Sequence, residues 1–292
     1  MVLRAAGDGA SPGPVMSMME GPNGSLEFIT TGSGLPATVF AHGLAGSIQT
    51  MRPFGSGVAG SRTFLHFRGH GASTAPQTPW NYAALAGELT AVADHVGATQ
   101  ALGVSMGAGA LCSLLAAAPL RFERLVFVMP AVLDRPRTDG ALDRLVEMAK
   151  CADDRDVEGM TALLLEGEHA SVRAQPAVRL WCRRQAAVLV GTQVSSALRA
   201  LPTAVPLAGR AVLASVTARA LVIAQEQDPA HPVWVAQQLA ASLPNARLEV
   251  MAPGGLLWRH RALMRELIGG FLSGEPCERF TRPSEAIGGR RD

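Results

Sequence analysis

Lysine is nearly absent: Lys150 is the only one among 26 basic side chains in 292 residues. A Schiff base or lysine nucleophile therefore has one candidate, Lys150. The predominance of Arg beside abundant Ala reads as a coding bias rather than an Arg-specific function. Charge imbalance is also lacking, since 26 basic and 24 acidic residues leave a net charge of +2. That gives no electrostatic case for nucleic acid or an anionic membrane. Aromatic residues make up 5 %, too few for a carbohydrate-stacking groove. The four cysteines (Cys112, Cys151, Cys182, Cys277) form no CxxC and no metal-like spacing. They read as reduced thiols of a cytoplasmic protein, with Cys112 a small core residue, and no metal site is expected. The first residues lack the apolar h-region of a signal peptide, and no apolar run is long enough to span a bilayer.

What is present is ample apolar material. The chain is 48 % hydrophobic and 17 % charged, enough for a sizeable core, with disorder confined to the ends. The length allows one large α/β domain with an insertion, or two small domains. Short apolar runs at Thr38–Ala41, Thr63–Phe67, Ala98–Leu102, Leu125–Met129, Leu221–Ala224 and Leu248–Met251 read as buried parallel strands. Leu26–Thr30 reads as an antiparallel edge strand. Helical patterns at Tyr82–Val96, Ala108–Ala117, Trp234–Leu243 and Arg261–Leu272 alternate with them. This alternation predicts an α/β fold, a mostly parallel sheet covered by helices on both faces.

The rhythm breaks between residues 131 and 216. That stretch has no convincing strand and holds helical segments at Gly140–Cys151, Val157–Glu166 and Ala177–Gly191. It is read as a helical cap inserted into a core formed by residues 23–130 and 217–273. Residues 1–22 and 274–292, polar and rich in Gly and Pro, are expected to be flexible tails.

The most informative segment is Gly103-Val104-Ser105-Met106-Gly107, between an apolar run and a small-residue helix. A Gly-x-Ser-x-Gly there reads as a nucleophile elbow, with Ser105 on a strained turn at the end of the sheet. The helix N-terminus behind it favours developing negative charge. Ala41-His42-Gly43-Leu44 follows another strand, and a His-Gly turn there can aim the N–H of Leu44 at an oxyanion. The N–H of Met106 is the second donor. His42 would brace that loop. Arg68-Gly69-His70-Gly71-Ala72-Ser73 reads as a tight turn bracing the floor of the site. After the strand Leu221–Ala224, Asp228 stands in the Pro-rich turn Asp228-Pro229-Ala230-His231-Pro232. A carboxylate there can orient a basic imidazole, with Glu226 the alternative acid. Asp228 could equally cap the following helix.

In this order, the four motifs resemble the α/β-hydrolase superfamily. The Asp-Pro-x-His-Pro turn and the Ala236, Leu239, Leu243-Pro244 pattern after it are similar to cap-bearing esterase and lactonase-like members. The resemblance covers residues 25 to 273. It implies an eight-stranded sheet with a cap, a Ser-Asp-His triad, no cofactor, and a small-molecule acyl substrate such as an ester, lactone or thioester. Two positions depart from it. His66 stands where relatives often carry Asp. At the usual place of the catalytic His, after the Gly that follows the last strand, the chain has Leu256.

His260 is the remaining His nearby, one helical turn or roughly 6 Å beyond Leu256. The chain order Ser, Asp, His then runs 105, 228, 260, and His260 is taken as the base. His231, directly after the acid turn, is read as the start of a helix, and His169 as a cap residue able to touch substrate. Trp181, Leu180 and Val188 could line an apolar acyl pocket. The expectation is a serine hydrolase working through an acyl-enzyme. Without the usual His, two alternatives stay open: a non-hydrolytic enzyme (elimination, cyclisation or acyl transfer) and a ligand-binding protein on the same fold.

Overall fold

The computed structural model describes residues 15–138 and 140–274. Its elements run β1 (Ser17–Gly21), β2 (Gly24–Thr31), β3 (Ala37–Ala41), α1 (Ile48–Met51), β4 (Ser61–Leu65), α2 (Tyr82–His95), β5 (Gln100–Val104), α3 (Met106–Ala117) and β6 (Arg124–Val128). There follow α4 (Ala141–Asp153), α5 (Val157–Gly167), α6 (Ala170–Arg173), α7 (Pro176–Leu189) and α8 (Ser195–Ala200). The chain closes with β7 (Arg219–Gln225), α9 (Val233–Ser242), β8 (Ala246–Met251) and α10 (Arg261–Ser273).

The eight strands form one sheet in the order β1-β2-β4-β3-β5-β6-β7-β8. Pairing is parallel from β4 to β8, while β2 meets β4, and β1 meets β2, antiparallel. Successive residues of the central strands point to opposite faces. Leu125 and Phe127 of β6, and Val222 and Ala224 of β7, enter the larger core against α2, α3 and α9. Val126, Val128, Leu221 and Ile223 enter the other, with α1 and α10. Burial on both faces is why these strands read as unbroken apolar runs.

Two expectations need correction at the N-terminal side. The segment 1–22 is not wholly a tail, because Ser17–Gly21 pairs with β2 in register Met19 to Leu26. That strand alternates half-buried and exposed residues, so its composition carries little apolar signal. β2 is accordingly second in the sheet, not its edge. The residues before 15 and after 274, and Cys277 with them, lie outside the described residues. Cys112, Cys151 and Cys182 carry no disulfide.

Among the described residues no strand lies between β6 and β7, a stretch occupied by α4 to α8 and short 3-10 turns. No helix of the described residues is long and apolar enough to cross a membrane.

Candidate active site

Ser105 occupies the turn between β5 and α3 with φ 51° and ψ −107°. A non-glycine residue at positive φ is strained, and the turn is held by packing that excludes side chains on either side. A Cβ on Gly107 would stand 2.2 Å from the carbonyl oxygen of Ala41, and one on Gly103 2.5 Å from that of Gly107. The Ser105 N–H is used by the Val128 carbonyl at 3.0 Å. Its hydroxyl is thereby left facing the cavity at the strand ends.

The ring that reaches that hydroxyl belongs to His231. Its Nε2 lies 2.9 Å from Ser105 Oγ, and its Nδ1 lies 3.0 Å from Asp228 Oδ1. Asp228 Oδ1 also accepts the N–H groups of Ala230 at 2.8 Å and His231 at 3.0 Å. This is an Asx-type turn, in which one carboxylate oxygen gathers the donors two and three residues ahead. Acid and imidazole thus come from a single turn. Gln227 before it adopts φ 57°, and Arg137 donates from Nη2 to the Ala230 carbonyl.

Burial alone would raise the Asp228 carboxyl. The charge of His231 and the donors from its ring and from two backbone N–H groups outweigh burial and hold it below the usual carboxylate range. An ionised Asp228 can only accept, so His231 Nδ1 carries the proton and Nε2 is left to accept from Ser105.

His260 is not part of this arrangement. The chain after β8 makes one π-helical turn, Gly255–Arg259, and this carries the His260 ring to the Ala252 carbonyl at 2.8 Å. His260 does not line the cavity, whereas His231 does. The expectation that His260 contacts Ser105 assumed a regular helix from Leu256. The wider turn removes the required phase. Leu256 itself is buried in the core beside α10. The signal for His231 was present in the sequence as Asp-Pro-x-His. Here the Asx turn brings the His231 ring to the same carboxylate oxygen that accepts its N–H. Glu226, the alternative acid, is exposed.

The two expected oxyanion donors both border the cavity. Neither the Leu44 nor the Met106 N–H has a hydrogen-bond partner among the described residues. The Gly43 carbonyl accepts from His42 Nδ1 at 2.7 Å and from the Gly46 N–H at 2.9 Å. A peptide's N–H points opposite to its C=O, so this clamp turns the Leu44 N–H away from His42. Gly43 packs closely on Ser105, and a Cβ on it would lie 3.3 Å from Ser105 Cβ. His42 Nε2 in turn accepts the Phe67 N–H at 3.1 Å, and burial keeps the His42 ring neutral, its pKa well below the ordinary value.

The Arg68-Gly69-His70-Gly71 turn lies beneath. Arg68 is fully buried, with Nε 2.5 Å from Glu88 Oε1. His66 is buried, accepts the Ile48 N–H at 2.9 Å and pairs with Glu27 at 2.7 Å.

A cavity of about 490 Å³ opens over Ser105. The sheet side contributes Leu44, Met106 and Gln225, and the segment between β6 and β7 contributes Leu145, Met148, Leu164 and Trp181. Leu180 and Val188, expected beside Trp181, are half exposed and do not line it. Two features escaped the sequence reading. Glu168 lines the cavity with its carboxyl raised, mainly by burial. The Trp258 indole N–H at 3.0 Å lowers it in part, and the nearby Asp228 charge raises it further. Gln225 is buried, and its Oε1 has no partner among the described residues. Among the described residues, no group of three or more His, Cys, Asp or Glu is arranged to hold a metal ion.

Residues 36–256 match the family profile described as the alpha/beta hydrolase fold. Solved structures agree in architecture. A carboxylesterase from Bacillus subtilis superposes with TM-score 0.75 at 19 % identity, covering 91 % of this chain and 94 % of its own. A thermophilic esterase from Thermogutta terrifontis gives 0.73 at 18 %, covering 89 % and 98 %. An enol-lactonase from Burkholderia xenovorans gives 0.71 at 21 %, covering 88 % and 100 %. No curated protein matches the sequence.

Proposed function

Because the chain belongs to the α/β-hydrolase fold family, we propose that it is a serine hydrolase acting on an ester, lactone or thioester of a small molecule. The observation that carries this reading is the hydrogen-bonded series Ser105 Oγ, His231, Asp228, at 2.9 and 3.0 Å. Ser105 attacks the acyl carbon while His231 Nε2 takes its proton. Asp228 holds the ring's tautomer and stabilises the imidazolium. The N–H groups of Leu44 and Met106 receive the oxyanion, with the N-terminus of α3 behind it. His231 then protonates the leaving group. Water, activated by the same ring, releases the acyl group from Ser105 and restores the enzyme.

The helices between β6 and β7 serve as a lid whose apolar side chains select the substrate. The non-hydrolytic and ligand-binding alternatives rested on a missing base, and His231 removes that motive.

A fluorophosphonate probe and p-nitrophenyl ester turnover test the reading together. Ser105→Ala should abolish labelling, and Ser105→Ala and His231→Ala should each lose several orders of magnitude in turnover, because the pair acts as a unit. His260→Ala should stay near wild type. A His231→Ala enzyme within about tenfold of wild type, below what a general base supplies, would remove His231 from the mechanism.

A further inference from the structure

The cavity wall contains a cation that the proposed chemistry does not use. Arg144, on α4, lines the cavity and is only partly exposed. Its guanidinium packs against the end of α5, with Cζ 3.7 Å and both terminal nitrogens 3.8 Å from where a Cβ on Gly167 would stand. Unlike Arg137, which donates to the Ala230 carbonyl, Arg144 makes no hydrogen bond or ion pair with any described residue. The acids around it are committed or turned elsewhere. Glu147 pairs with Lys150 at 2.8 Å. Glu168, next to Gly167, is directed to Trp258 Nε1. Asp143 is exposed on the helix surface. A partly desolvated guanidinium without a counter-ion is unfavourable unless an anion arrives with the ligand. The walls beside it, Leu145, Met148 and Leu164, are apolar.

The geometry points to Arg144 as the recognition residue for a carboxylate on the substrate. Resting on the hydrolase reading above, the substrate class is an ester that bears a free carboxylate, separated from the scissile bond by an apolar spacer. One planar guanidinium matches one carboxylate in bidentate fashion.

The test compares kcat/KM for two anionic series with their neutral methyl-capped counterparts. One series is the mono-p-nitrophenyl esters of glutaric to suberic acid, the other ω-acetoxy carboxylates of matching length. In the wild type at least one series should favour the anion by about tenfold or more, the scale of a charge-assisted bidentate contact. In Arg144→Gln that ratio should fall to near one, and Arg144→Lys should keep part of it. No preference in either series, or a preference that survives Arg144→Gln, overturns the assignment. If no ester of either kind is turned over, it is the hydrolase reading that fails. Calorimetry with adipate monomethyl ester then decides the assignment alone. Binding to wild type that weakens about tenfold in Arg144→Gln supports it, and equal or absent binding overturns it.

Discussion

Replacing Asp228 by Asn separates the two tasks of this carboxylate. One oxygen, Oδ1, accepts the N–H groups of Ala230 and His231 and the His231 ring. In Asp228→Asn the two backbone donors can be met only by the amide oxygen, because the NH2 group there would set donor against donor. The oxygen therefore stays in place, the turn persists, and His231 Nδ1–H still has an acceptor. The imidazole keeps its tautomer, and only the charge is lost. A hydrogen bond to a charged group contributes about 1.5–3 kcal/mol and a neutral one about 0.5–1.5. The full Coulomb interaction at ~4 Å, in an effective dielectric of about 20, is about 4 kcal/mol. These bracket a loss of about 1–4 kcal/mol in transition-state stabilisation, or about 5- to 1000-fold in kcat/KM. Asp228→Ala should do worse on a second axis. It leaves two backbone N–H groups in the turn without their acceptor, at about 1–3 kcal/mol each if they stay buried, and the urea midpoint should fall accordingly. Steady-state kinetics with p-nitrophenyl acetate, read beside urea unfolding of the same variants, gives both quantities. If Asp228→Asn is as inactive as His231→Ala, the amide has turned and the shared-oxygen argument is refuted. If it matches wild type, Asp228 has no part in catalysis.

Two further outcomes follow from packing and from buried titratable groups. Gly107→Ala would place a methyl 2.2 Å from the Ala41 carbonyl oxygen, which belongs to β3. The elbow cannot absorb this, so a stability loss of about 1–3 kcal/mol or more should accompany lost turnover, and a wild-type urea midpoint would contradict the packing. His70 is buried, and burial lowers its pKa from 6.5 to about 4. The unfolded chain therefore binds the proton first as pH falls, and stability should drop between pH 6.5 and about 4, at about 1.4 kcal/mol per pH unit for this ring. His70→Leu should flatten the stability profile in that window by about one proton, and an unchanged slope would show that His70 is not the titrating group.

Most of the architecture could be read from local pattern. Apolar runs marked the six parallel strands, although β8 at the sheet edge is mostly half-buried rather than buried on both faces, and the break in rhythm marked where the helices between β6 and β7 lie. The elbow was legible because Gly103 and Gly107 answer a steric demand within five residues. β1 was not legible, since a half-exposed edge strand has little apolar signal and owes its existence to pairing with β2.

The sequence by itself determined that a serine stands on a strained turn at the head of a parallel sheet, with an acid after the strand Leu221–Ala224, because strand, turn and glycine requirements act over a few residues. Only the tertiary structure decided which imidazole meets that serine. Ser105 and His231 are 126 residues apart. Their meeting depends on β5 and β7 ending on the same side of the sheet, with β6 between them. It depends also on an Asx turn folding His231 back onto Asp228. The rejection of His260 depends on a single π-helical turn that carries its ring to Ala252. That phase is set by packing around Leu256 and α10. No local pattern at residues 255–260 announces it.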